Sequence, residues 1–277
     1  MTPTPPIALT IAGSDSSGGA GIQADLKTFT ALGVYGASVI TALTAQNTLG
    51  VRAIHAVPPD FIAAQIDAVA EDLAVAAVKT GMLGDVATVV AVSAGIERHR
   101  LAPVVVDPVM VATSGDVLLA ADAIDAVRRK LIPRATLITP NLAEAATLLG
   151  DAPARSLDEM EAQARRLLAL GPAAVLVKGG HRAGGEAAID ILVTSEAPDK
   201  SLHFTAPRID TRNTHGTGCT LAAAITAHLA LGQVLTEAVG AAKAFLSAAL
   251  AAGRDHAIGH GAGPVDHLHA IRAKPAN

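Results

Sequence analysis

Pro103-Val104-Val105-Val106-Asp107-Pro108 is the stretch that decides the fold. Three consecutive β-branched residues leave no polar face, so a strand built from them is covered on both sides. Such strands belong to parallel sheets with helices above and below. Working outward, apolar strands are predicted at 7–12, 37–43, 74–78, 136–138 and 174–177. Helical patterns alternate with them at 22–32, 59–72, 85–98, 121–131, 142–149 and 156–170. The runs 189–193 and 202–205 read as a strand pair, and two Ala-rich helices, 216–231 and 235–252, come after it. The alternation predicts an α/β fold with a mostly parallel central sheet. Nothing resembling a linker, repeat or low-complexity tract divides the chain, so residues 1–277 read as one domain.

Composition narrows the function classes. The net charge is −4, without a dense Lys/Arg block, so no nucleic-acid partner is expected. A single cysteine, Cys219, excludes an internal disulfide and fits a reducing, cytoplasmic setting. Apolar runs are interrupted by His228 and Lys243 before reaching the roughly 18 residues of a membrane span, and residues 1–6 carry no leader pattern. No membrane partner is therefore expected. Aromatic residues are 2% of the chain and Trp is absent, so a planar ligand finds no aromatic cage.

In parallel sheets ligands bind beyond the carboxyl ends of the strands, and several strands end in polar or glycine-rich segments. Gly13-Ser14-Asp15-Ser16-Ser17-Gly18-Gly19-Ala20-Gly21 joins a strand to a helix; it is either a ligand-approaching turn or a plain connection. It matches neither the Walker A phosphate loop nor the dinucleotide fingerprint. Asn213-Thr214-His215-Gly216-Thr217-Gly218-Cys219-Thr220 opens a long helix, whose free N–H groups and dipole suit an anion. A thiol there is expected to have a lowered pKa and to serve as a base; the alternative is a small packed cysteine. Asn141-Leu142-Ala143-Glu144 offers a helix cap, or a carboxylate holding Mg²⁺ through water. Asp107 ends a buried strand, where a carboxylate needs a partner or a metal. Lys178-Gly179-Gly180-His181 puts a cation beside two glycines, for nucleotide phosphates or for a turn. His181 and His215 read as hydrogen-bonded loop histidines.

Together these segments, with 8–28, 39–48, Lys79-Thr80-Gly81-Met82-Leu83, 138–144 and Gly259-His260-Gly261-Ala262-Gly263-Pro264-Val265, resemble the hydroxymethylpyrimidine/phosphomethylpyrimidine kinases of the ribokinase-like superfamily, over about residues 7–268. The resemblance implies a three-layer αβα sandwich, a homodimer, and use of ATP and Mg²⁺. The implied reaction phosphorylates 4-amino-5-hydroxymethyl-2-methylpyrimidine, then its monophosphate, in thiamine synthesis. It implies Cys219 as base, with Gly216, Thr217 and Gly218 as anion hole. Gln46 would bind the pyrimidine, with Gly13, Asp25 and Met82 lining the pocket. Lys178, Asn141 and Asp107 are assigned to the nucleotide and Glu144 to the metal. The alternatives are a pyridoxal kinase of the same fold or dual activity, a sugar or nucleoside kinase, and a non-catalytic nucleotide-binding regulator. Cys219 in place of the superfamily's more common Asp base favours the pyrimidine kinases.

Overall fold

A computed structural model describes residues 4–111, 116, 118–180 and 187–272; His181 lies outside them. In chain order the elements are β1 (Ile7–Ala12), α1 (Gly21–Ala31), β2 (Tyr35–Ile40), β3 (Ala42–Asn47), β4 (Gly50–Ala56), α2 (Pro59–Asp72), β5 (Val75–Thr80), α3 (Val86–Arg98), β6 (Val104–Val106), α4 (Ala121–Ala126), β7 (Leu137–Ile138), α5 (Leu142–Leu149), α6 (Leu157–Leu168), β8 (Ala174–Lys178), β9 (Ala187–Thr194), β10 (Leu202–Pro207), α7 (Thr217–Ala230), α8 (Leu235–Gly253) and α9 (His269–Arg272). An eight-stranded sheet runs β10-β9-β8-β7-β6-β5-β1-β2. Its strands are parallel from β2 to β8, and β9 is antiparallel to both its neighbours, β8 and β10.

The Val104-Val105-Val106 triplet shows why this sheet needs two helical layers. Val104 and Val106 enter one apolar cluster with Ile62 and Ile66 of α2, Val89 and Val92 of α3, Leu148 of α5 and Met160 of α6. Val105 points the other way, into a cluster with Leu221 and Ile225 of α7 and Phe245 of α8. Leu137/Ile138 and Leu176/Val177 divide between the same two clusters, as a period of two requires. Phe29 of α1 packs beside Ala223 and Ala227 of α7. The result is the αβα sandwich. Each fully buried Leu, Ile or Phe in it contributes on the order of 1.5–3 kcal/mol.

Two expectations are corrected. The strand expected at 37–43 ends at Ile40. Thr41 donates its N–H to Ala12 O (3.0 Å) and its hydroxyl to Met82 O (2.7 Å), which turns the chain out of the sheet. The chain then forms a separate antiparallel hairpin, β3-β4, standing over the strand ends. No apolar run of spanning length is expected from the sequence, yet α8 has 19 residues and is long and apolar enough by composition to cross a membrane. It packs on the sheet through Ala238, Val239, Ala242 and Phe245. Its one lysine, Lys243, donates to Asp190 of β9 at 2.6 Å.

Because β1, β5, β6, β7 and β8 are parallel, Gly13, Gly81, Asp107, Thr139 and Gly179 all lie just past strand ends at one edge of the sheet. The start of α7 lies over that edge.

Candidate active site

Gly216, the N-cap of α7, has φ +79, a left-handed conformation that favours glycine. A Cβ there would also stand 1.9 Å from Gly19 O, so the glycine-rich turn and the start of α7 lie backbone to backbone. Thr217 N–H turns back to Thr214 O (3.3 Å) and Thr220 N–H closes on Gly216 O (2.8 Å). The N–H groups of Gly218 and Cys219 find no acceptor among the described residues. Two free donors at the positive end of a 14-residue helix form an anion cradle.

Asp15 fastens the turn to this cradle. Its carboxylate accepts from Ser17 N (2.9 Å), Ser17 Oγ (2.7 Å), Gly19 N (3.0 Å), Ala20 N (2.8 Å) and His215 Nε2 (2.7 Å). Burial works against the charge, but the hydrogen bonds from His215 and Ser17 outweigh it and bring the carboxyl to about 2. His215 is therefore the hydrogen-bonded loop histidine expected.

On the other side of α7, Lys178 Nζ donates to Asp107 Oδ1 at 2.8 Å, and Thr139 Oγ1 donates to the same oxygen at 3.0 Å. A Cβ on Gly218 would meet Lys178 Nζ at 3.3 Å and Asp107 Oδ2 at 3.7 Å, so the cation and carboxylate stand directly against the cradle. Burial opposes the Asp107 charge; Lys178 and Lys79 overcome it and hold the carboxyl below its usual range. Glu144 lies in α5. It forms a capping box with Asn141: Asn141 N–H donates to Glu144 Oε2 (2.8 Å) and Glu144 N–H to Asn141 Oδ1 (2.9 Å). Burial, and then Asp107, lift the Glu144 carboxyl to about 7 against the pull of Lys178.

A glycine-cradled helix start, a thiol in its first turn, and a Lys–Asp pair against it suit phosphoryl transfer, which needs charge neutralisation and positioning more than covalent chemistry. The family model for phosphomethylpyrimidine kinase matches residues 15–266. The chain belongs to that family.

Relatives agree with this membership of the phosphomethylpyrimidine kinase family. The chain is 56% identical over 263 residues to the hydroxymethylpyrimidine/phosphomethylpyrimidine kinase of Rhizobium meliloti, covering 95% of this chain and 97% of the relative. It is 53% identical to that of Salmonella typhimurium with the same coverage. Among solved structures, an ADP complex of Bacillus subtilis pyridoxal kinase superposes with a TM-score of 0.89, at 39% identity, covering 98% of this chain and 100% of that one.

The structure gathers most of the sequence-assigned residues of this kinase. Gln46, on β3, lines a cavity of about 210 Å³ with Asn47, Thr48, His215, Gly261 and Ala262. Its Nε2 lies 3.5 Å from His215 Nε2. Gly13 and Met82 adjoin: a Cβ on Gly13 would stand 2.5 Å from Met82 Cε. Asp25 is different. It has no exposed surface and is paired with Lys79 at 2.8 Å. Its position on the inner face of α1, toward the sheet, is the reason.

Cys219 stands where expected, in the first turn of α7. The expected lowering of its pKa is not found. The side chain keeps some accessible surface, yet it is enclosed enough that burial pushes the thiol up to about 11. Lys79 opposes this, while Asp25 and Asp107 add to it. The helix end favours a thiolate, but burial wins.

Two features escaped the sequence reading. Asp15 and His215 are 200 residues apart. Lys79 sits in an apolar strand and shows its role only through its partner.

Proposed function

We propose that this chain transfers the γ-phosphoryl group of ATP to the hydroxymethyl oxygen of 4-amino-5-hydroxymethyl-2-methylpyrimidine, and then a second phosphoryl group to the monophosphate. The observation that carries the reading is the cradle at Gly216-Thr217-Gly218 with Cys219 beside it. The new bond joins the hydroxymethyl oxygen to the γ-phosphorus, the bond from that phosphorus to the bridging oxygen of ADP breaks, and the hydroxyl proton leaves to a base.

Gln46 has both a donor and an acceptor, which matches the amino group and ring nitrogen of the pyrimidine. Gly13 and Met82 floor the ring site. The free N–H groups of α7 neutralise charge on the transferring group, and Lys178 adds a cation beside it. Asp107 holds Lys178 in place. Cys219 takes the proton as a thiolate. With a pKa of about 11 the thiol form dominates at neutral pH by roughly 10⁴, so activity on the free enzyme should climb with pH.

Mg²⁺ fits the donor set. Glu144 and the phosphates supply only oxygens, and no group of three His, Cys, Asp or Glu among the described residues could cage a metal. That suits an ion held by one or two carboxylates plus substrate phosphates. Mg²⁺ would supply neutralisation of phosphate charge, with Glu144 holding it through water. The expected homodimer belongs to the same proposal.

The test is pyrimidine-dependent ATP turnover by the wild-type protein and by Cys219→Ala and Cys219→Asp. Alanine is expected to lower kcat by roughly 10²–10⁴, the range for losing a positioned base, while ATP still binds. Aspartate should restore part of it. Near-normal kcat in Cys219→Ala would remove Cys219 from the chemistry.

A further inference from the structure

Lys178 and Asp190 stand directly opposite one another where β8 pairs with β9. Residues paired in this way put their side chains on the same face of the sheet, with Cβ atoms about 5 Å apart. That face is the one covered by α7 and α8: Leu176 and Leu192, the next pair along it, both enter the cluster with Ile225 and Phe245. A lysine and an aspartate so placed have every reason to pair, yet no ion pair joins them among the described residues. Lys178 Nζ reaches past β7 to Asp107 Oδ1 at 2.8 Å and stands against Gly218 at the start of α7. Asp190 Oδ2 is taken instead by Lys243 Nζ of α8 at 2.6 Å, and Asp190 Oδ1 accepts from Gly179 N–H at 3.0 Å. With Asp190 at 3% exposure and Lys243 at 8%, each charge needs a protein partner rather than water.

We infer that Lys243 is a positioning residue for the cation at the cradle: by occupying Asp190, it leaves Lys178 to Asp107 and to the nucleotide phosphates. The inference rests on the role proposed for Lys178 beside the transferring group, and it deepens that role. The strands by themselves favour the other arrangement, because opposite charges directly across an antiparallel pair attract. A buried carboxylate stripped of its cation is costly and draws in another. For Asp190 the directly opposed neighbour is Lys178, whose flexible four-carbon stem can span the gap. Drawn to Asp190, the ammonium would leave Asp107 and Gly218. A tie between α8 and the sheet accounts for a buried Lys243, but not for Lys178 passing over its own cross-strand neighbour.

Binding of the non-hydrolysable ATP analogue AMP-PCP to the full-length protein with Mg²⁺, measured by calorimetry, reads the placement of Lys178 without relying on pyrimidine turnover. Lys178→Met is expected to weaken binding roughly tenfold or more, the range for a lost hydrogen bond between charged groups. Lys243→Met keeps Lys178 but frees Asp190, and should weaken binding roughly three- to tenfold, a part of the same loss. Lys243→Arg keeps the charge and should bind nearly as the wild type does. The deciding variant combines Asp190→Asn with Lys243→Met. It removes the competing carboxylate, its Asn can still accept from Gly179, and a buried pair lost as a whole leaves no orphan charge, so affinity should return to within about twofold of wild type. A double variant as weak as Lys243→Met overturns the inference. So does a Lys243→Met protein that melts lower but binds the analogue normally while Lys178→Met does not. If Lys243→Met fails to fold, Lys243→Gln, which still donates to Asp190 but brings no charge, decides: weakened binding that Asp190→Asn restores supports the inference, and unchanged affinity refutes it. Wild-type affinity in Lys178→Met would overturn the reading of Lys178 itself, and the inference with it.

Discussion

Replacing Asp15 by Asn should expose how the two halves of the site are joined. The carboxylate gathers four donors from the glycine-rich turn and one from His215. An amide can accept on only one side. If its oxygen keeps Gly19, Ala20 and His215, its NH₂ confronts Ser17, which is exposed and can turn to water. The shift of the carboxyl from 3.8 to about 2 corresponds to about 2 kcal/mol of folded-state preference for the charged form. Asp15 is 2% exposed, but the surrounding turn faces solvent, so screening trims the expected cost to about 1–2 kcal/mol. In a chain of this size that lowers Tm by about 2–6 °C. The sign with pH is fixed. A depressed carboxyl stabilises the fold above its unfolded pKa and loses that contribution as pH falls through its folded pKa. The gap between wild type and Asp15→Asn should thus be full above pH 5 and about half gone at pH 3. Urea denaturation of both proteins at pH 7, 5 and 3 measures it. A gap that stays constant over that range, or no gap at pH 7, would refute the role of Asp15 as the charged clasp of the turn.

Gln46→Ala should raise KM for the pyrimidine more than for ATP, by the equivalent of roughly 1–3 kcal/mol for a lost, partly buried hydrogen-bonding group; steady-state kinetics with each substrate varied will show whether both weaken equally, which would mark Gln46 as structural. Glu144→Gln should raise the Mg²⁺ concentration needed for half-maximal activity while the cap survives, because Gln can still close the capping box. The raised Glu144 carboxyl favours the fold at low pH, and this contribution fades as pH rises from 4.5 through about 7, so the variant should melt with less pH dependence over that window; unchanged Mg²⁺ titration would leave Glu144 as a cap only. The pyrimidine kcat/KM of the wild type should rise with pH from 7 to 9 as the thiolate fraction grows, and Cys219→Asp, already ionised, should flatten the rise; a flat wild-type profile counts against a thiolate base.

The strands and helices that build the sandwich were legible because their apolar residues are unbroken, as in Val104-Val105-Val106, or recur at helical spacing, as in the 14 residues of α2. The β3-β4 hairpin was not. The face of β3 that carries Leu43 and Ala45 stays exposed, and β4 is exposed over most of its length; pairing rather than a one-sided apolar pattern holds the hairpin together. In the site, Gly216, Gly218 and Cys219 announce themselves by their place at a helix start, and Asn141 and Glu144 by their spacing. The sequence exposes the favourable helix end near Cys219, but not the burial that pushes the thiol up, to which the carboxylates of Asp25 and Asp107, folding in from elsewhere, add. Lys79 and Asp25 are 54 residues apart, and only the parallel pairing of β1 with β5 brings strand and helix together.

Every role assigned to a residue of the site depends on the reaction itself. Incubating the protein with ATP, Mg²⁺ and either 4-amino-5-hydroxymethyl-2-methylpyrimidine or pyridoxal, with the products identified over time by mass spectrometry, puts that reaction to the test. The pyrimidine monophosphate should appear first and the diphosphate after it, with pyridoxal phosphorylated more slowly than the pyrimidine. Phosphorylation of pyridoxal alone, or no phosphorylated pyrimidine at all, would overturn the assignment.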